Sequence, residues 1–159
     1  MIALIAALVL PPPPASAPGA RWGTFSQRPA LRDLSTTVDI GTLGFDRNKQ
    51  QLQFWLRRTV VQHGRTTIDW ADSGTCPAVR PILSRMQNLR VPMLDVPGFS
   101  SGGEIILDGI GYSLEAPSRN GRISFDSNVR TPLAEWVEAS LKALGPCWTA
   151  TMPVRVDRR

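Results

Sequence analysis

The amino-acid sequence predicts an α+β fold. The expected architecture is an antiparallel sheet of about five strands, in β-β-β-α-β-β-α order, with two amphipathic helices on one face, tied by one disulfide. Three observations predict it. Segments rich in β-formers come in pairs joined by short turn signals, the pattern of antiparallel hairpins. Two later segments repeat apolar residues at helical spacing. The only two cysteines fall beside the ends of those two helices.

The 159 residues suffice for one domain. Met1 to Leu10 is an unbroken apolar run, about half of the roughly 20 residues that a membrane-spanning helix needs. Pro11 to Pro14 end any helix begun there, because proline lacks a backbone N–H and its ring clashes with the preceding turn. Ala15-Ser16-Ala17 then has the small-x-small form of a signal-peptidase site. Residues 1–17 therefore read as a cleavable signal peptide, although no Lys or Arg precedes the run. No later stretch is apolar enough to span a bilayer, so the expected address is periplasmic or secreted, with no transmembrane segment after signal removal.

Residues 18–32 lack clear periodicity and read as a loose lead-in to a single domain over 33–148. Leu34 to Phe45 is rich in Thr, Val and Ile and contains Gly41 and Gly44, which predicts a strand bulged at a glycine. Asp46-Arg47-Asn48-Lys49 is turn chemistry, since Asp and Asn side chains bond to the local backbone. Gln51 to Gln62 fits a helical stripe or an alternating strand. Phe54, Trp55, Thr59, Val60 and Val61 decide for the strand. His63-Gly64 is a two-residue hairpin turn, and Arg65 to Trp70 is the returning strand.

The segment after Cys76 is a helix ending near Leu89, with Val79, Ile82, Leu83, Met86 and Leu89 on one face. Its prolines, Pro77 and Pro81, are tolerable only within the first turn. Residues 91–103 form a loop broken by proline and glycine. Glu104 to Glu115 is strand-like, Asn120-Gly121 suits a turn with positive φ, and Arg122 to Ser127 is the partner strand. The last helix has Thr131 as cap, Pro132 at its first position and Glu135 near the positive end of its dipole. Leu133, Trp136, Val137, Ser140, Leu141 and Leu144 form its buried face, and Gly145-Pro146 stops it. Residues 149–159 read as a flexible tail.

An oxidising compartment makes a disulfide the default for a lone cysteine pair. Cys76, before one helix, and Cys147, after the other, are expected to join. A helix N-terminus would activate a free Cys76 thiol, but Cys76-Pro77-Ala78-Val79 is not a C-x-x-C redox motif. Two cysteines and one histidine are too few for a four-ligand zinc site, and no metal or cofactor is expected.

The net charge of +5 is uneven. Arg47, Lys49, Arg57, Arg58 and Arg65 fall within residues 47–68, where there is no acid. If His63-Gly64 is the turn, Arg58 faces Asp69 and Arg57 faces Trp70 on the opposite side of the sheet. That predicts an ion pair on the apolar face and a cation–π contact on the other. Trp55, Arg57, Arg58, Arg65 and Trp70 are the candidate ligand-binding residues. Sixteen of the eighteen basic residues are arginine, a bias that does not by itself indicate phosphate contacts, and nucleic acid is not among the expected partners.

Gly98-Phe99-Ser100-Ser101-Gly102 matches G-x-S-x-G, but Pro92 and Pro97 break the approach and a strand follows where that motif needs a helix. Glu135 and Glu138 are spaced to share a helix face, which the dipole explains without catalysis. The expectation is a small exported, non-catalytic binding or structural protein of the cell envelope, with an anionic envelope polymer or a protein as partner. The alternatives are an inhibitor of a secreted enzyme, presenting the loop at 91–103, or a small serine hydrolase using Ser100 or Ser101 with His63.

Overall fold

A computed structural model describes residues 17–90, 109–128 and 130–155. Among the described residues six strands form one antiparallel sheet: β1 (Arg21–Pro29), β2 (Leu34–Asp46), β3 (Gln51–Gln62), β4 (Arg65–Asp72), β5 (Ile110–Ser118) and β6 (Gly121–Ser127). Two helices, α1 (Val79–Gln87) and α2 (Pro132–Leu144), accompany them, and a 3-10 turn at Gly145–Cys147 follows α2. The strand order is β4-β3-β2-β1-β5-β6, so every neighbouring pair is a sequential hairpin except β1–β5.

The α+β class and the disulfide are as the sequence predicts. One strand more is present, however, and the lead-in expected over 18–32 is largely strand β1, at the middle of the sheet. Only Phe25 of β1 is a large side chain fully buried in the main core. A strand with so little apolar content is held by partners on both sides, β2 and β5, and by nothing in its own periodicity. The turns match more closely. His63 and Gly64 both take positive φ, at 49° and 72°, as a two-residue hairpin matched to the sheet twist requires. The bulge in β2 lies between Thr42 and Gly44, where Gly44 has φ 129°. Of the strand expected over 104–115, residues 104–108 lie outside the described residues, and β5 runs on to Ser118.

One face of the sheet carries the main core, where Phe25, Val38, Ile40, Leu56, Tyr112 and Leu114 meet the apolar faces of both helices. Pro81 sits in the first turn of α1, where its missing N–H costs nothing. Thr131 caps α2 by accepting a hydrogen bond from the Ala134 N–H at 3.1 Å. Trp136 ties the helices to each other and to the sheet: its indole N–H donates to the Ile82 carbonyl at 3.2 Å, and its ring meets Phe25 edge-on at 4.9 Å. The Cys76–Cys147 disulfide joins the start of α1 to the end of α2 with a Cα separation of 5.6 Å.

The opposite face holds a second, smaller core of Trp55, Trp70 and Leu43, against which Ala17 packs. Within 149–159, expected as a flexible tail, Thr149 is paired. Thr149 exchanges two backbone hydrogen bonds with Trp70, at 2.7 and 2.9 Å, extending the sheet past β4. Pro153 and Val154 border an open hollow together with Leu43. Residues 156–159 lie outside the described residues.

Candidate functional site

Strand alternation divides the five candidate residues between the two faces. The expected register holds, with Arg58 opposite Asp69 and Arg57 opposite Trp70. Trp55, Arg57 and Trp70 face away from the helices, while Arg58 and its partner Asp69 face the helix side. Trp55 is fully buried over Gly41, and Trp70 is nearly so, their ring centroids 5.8 Å apart. They form a core and offer no open stacking surface.

The two central arginines are neutralised. Arg57 donates from Nη2 and Nε to one oxygen of Asp39, at 2.6 and 3.2 Å, and Arg21 donates to the other at 3.0 Å. Asp39 is buried, so these charge-assisted bonds replace its lost hydration. Arg57 also lies 6.0 Å from the Trp70 ring. On the helix side, Arg58 bonds one Asp69 oxygen at 2.6 and 3.1 Å and stacks 4.8 Å from the Trp148 ring. The basic run therefore does not form one patch. Arg47 and Lys49 stand in the β2–β3 turn at one end of the sheet, and Arg65 stands at the other.

At the Arg65 end, two turns lie side by side. The His63 N–H donates to the Asp33 carbonyl at 3.1 Å, which locks the β3–β4 turn against the β1–β2 turn. Two open hollows flank His63. One, of about 260 Å³, is lined by Leu31, Arg32, Asp33, Leu34, Gln62 and His63. The other, of about 470 Å³, is lined by Val60, Gln62, His63, Arg65 and Thr67. Arg28, Arg32 and Arg65 are exposed, and none has an ion-pair partner among the described residues. Leu31 is 82 % exposed beside them. The end thus combines three guanidinium groups, with Arg28 on the sheet face away from the helices and Arg65 on the helix side, one carboxylate and an exposed aliphatic side chain.

No family model, curated protein or solved structure matches the chain.

Of these residues the sequence singles out Arg65 as a candidate ligand contact and His63 only as a turn residue; Arg28, Leu31 and Arg32 fall in the segment that reads as a lead-in. Pro29 followed by Asp33 was the available turn signal. Ser100, Ser101 and the loop at 91–103, on which the hydrolase and inhibitor readings rest, lie outside the described residues. Among the described residues, no three His, Cys, Asp or Glu side chains converge as metal ligands.

Glu138 is engaged structurally, since it accepts a hydrogen bond from the Tyr112 hydroxyl. Burial, and then the hydrogen bond and charge of Glu138, push the Tyr112 phenol up to about 12, against a smaller opposing effect of Gln27. Unfolded tyrosine titrates near pH 10. The folded state therefore keeps a proton that the unfolded state has lost, so stability is full below pH 10 and falls as pH rises towards 12, by about 3 kcal/mol in all. Tyr112 is the only tyrosine, so tyrosinate absorbance reports on it alone. Ionisation of the native protein near pH 10 without unfolding would contradict the buried pair.

Proposed function

We propose that the protein is exported and acts in the periplasm or outside the cell as a small non-catalytic binding or structural protein of the cell envelope. In this reading residues 1–17 are removed as a signal peptide, and the ligand is an anionic envelope polymer, an acidic protein surface being the other partner of the same chemistry. The observation that carries it is the paired-turn end, where Arg32 and Arg65, neither with an ion-pair partner among the described residues, line two open hollows. Guanidinium groups supply charge and directed donors, and Leu31 supplies apolar contact. The disulfide is in keeping with an oxidising compartment. Arg57 and Arg58 hold the sheet together in this account and do not contact the ligand.

Co-sedimentation of the oxidised protein with envelope fractions, at low and high salt, tests the proposal. Association is expected to weaken with salt, because exposed charges are screened. Arg32→Ala with Arg65→Ala is expected to weaken it about tenfold or more, at roughly 1 kcal/mol for each cation near an anionic surface. Arg58→Ala should lower stability and leave the association unchanged. Binding indifferent to salt and to the double variant removes the electrostatic reading.

A further inference from the structure

The sheet's two outer edges differ. The outer side of β4 is partly closed by Thr149, whereas no described strand pairs with the outer side of β6. Exposed edges are normally guarded by proline, charged side chains (lysine above all), inward-pointing charge, a bulge or a covering segment. Strand β6, Gly121-Arg122-Ile123-Ser124-Phe125-Asp126-Ser127, has no proline, lysine or inward-pointing charge, its pairing with β5 runs without a register shift, and its two charged residues, Arg122 and Asp126, are opposite in sign. Its helix-side residues are Ile123 and Phe125, and its opposite side carries Arg122, Ser124 and Asp126, as the pairing with Ala116, Leu114 and Glu115 shows.

This strand is complementary to itself. Laid antiparallel against a second copy with Ser124 on the two-fold axis, Arg122 of each copy faces Asp126 of the other, and Ile123 of each faces Phe125 of the other. The opposite charges meet on one face of the joined sheet and the apolar pairs meet on the other, the cross-strand combinations that stabilise a sheet. Sliding the register by two residues in either direction loses both ion pairs and sets Phe125 against Gly121 or against itself. Asp126 has no ion-pair partner among the described residues. Among the described residues Arg122 bonds only Glu115, in an exposed pair that leaves donors free. The apolar side also has surface to cover. Ile123 is 41 % exposed and, with Phe125, Met86, Leu89 and Ala116, borders a hollow of about 610 Å³ between the end of α1 and the β5–β6 hairpin.

We propose that two copies of this chain join edge to edge through β6, around a two-fold axis at Ser124, into one continuous twelve-stranded sheet. The interface is isologous, so each copy supplies both halves of every pair. The inference does not depend on the ligand assigned to the paired-turn end.

Sedimentation equilibrium on the oxidised protein tests it. The wild type is expected to be a dimer at concentrations of about ten to a hundred micromolar, as suits an interface of modest area. Asp126→Arg alone and Arg122→Asp alone each set like charges against one another twice, and each should weaken self-association at least tenfold. Mixed together, those two variants become complementary at both positions and should form a one-to-one heterodimer, which a merely misfolded variant cannot do. Ser124→Cys should form an interchain disulfide, because position 124 then meets its own copy. A wild type that stays monomeric at the highest of these concentrations overturns the proposal. So does a dimer untouched by both charge reversals, or a mixture that fails to associate.

Discussion

Replacing Cys76 and Cys147 together with serine is expected to lower the unfolding free energy by about 4 kcal/mol, from the chain entropy that a cross-link over such a span removes from the unfolded state. The two cysteines are 71 residues apart, and the closed loop contains both helices and the β5–β6 hairpin. A loss of that size is a large part of the 5–15 kcal/mol typical of a small domain. The native state loses something too. Cys147 is followed directly by Trp148, which stacks on Arg58, and by Thr149, which pairs with Trp70. Freed from Cys76, this segment must hold the edge of β4 by those contacts alone. Urea unfolding of the double variant should show a lower midpoint, and amide exchange at Trp70 should accelerate beyond the global change. An unchanged midpoint would contradict a stabilising role for the cross-link.

Gly41→Ala is the second large effect. A Cβ at this position would lie 2.2 Å from Cε2 and 2.3 Å from Cζ2 of Trp55, well inside any real contact. The indole cannot swing aside, because it is fully buried and packed against Trp70 and Leu43. Either β2 and β3 part or Trp55 leaves its core, at a cost of about 3 kcal/mol or more, the upper range for overpacking. Tryptophan emission should shift to the red as the indole meets water. Gly64→Ala is the control: that glycine has φ +72° but nothing near its missing Cβ, so only the backbone penalty of about 1 kcal/mol is expected. Equal effects at the two glycines would contradict the close approach of Trp55.

The contrast between those glycines also marks what the sequence could disclose. His63-Gly64 is legible because two-residue turns have few solutions, and once it is placed the Arg58–Asp69 and Arg57–Trp70 pairings follow by counting. The helices are legible because thirteen residues of α2 repeat their apolar positions at one spacing. Gly41 reads only as a bulge candidate, since its purpose is set by a tryptophan on the next strand. Asp39 goes unremarked for the same reason. Its claim on Arg57 and Arg21 depends on β1, β2 and β3 lying side by side, and β1 has no periodicity of its own. The candidate site was half legible. Arg65 and His63 belong to the readable hairpin, while Arg28, Leu31 and Arg32 belong to the segment whose structure exists only through its neighbours. The burial of Trp55 and Trp70 likewise depends on chain outside their hairpin, Leu43 on the same face and Thr149 at the β4 edge, which no local pattern brings there.

The central position of β1 has a bearing on when this chain can fold. The first strand to be synthesised needs Tyr112 of β5 opposite its own Gln27, 85 residues later in the chain. Such distant pairing pays its loop-closure entropy before any reward, so it forms slowly. Until β5 has been made, β1 has β2 on one side and an open edge on the other, and the crosslink awaits Cys147, later still. Most of the polypeptide must be present before the sheet can close. If the chain is exported as proposed, a polypeptide that stays unfolded until nearly complete is one that a channel can still thread.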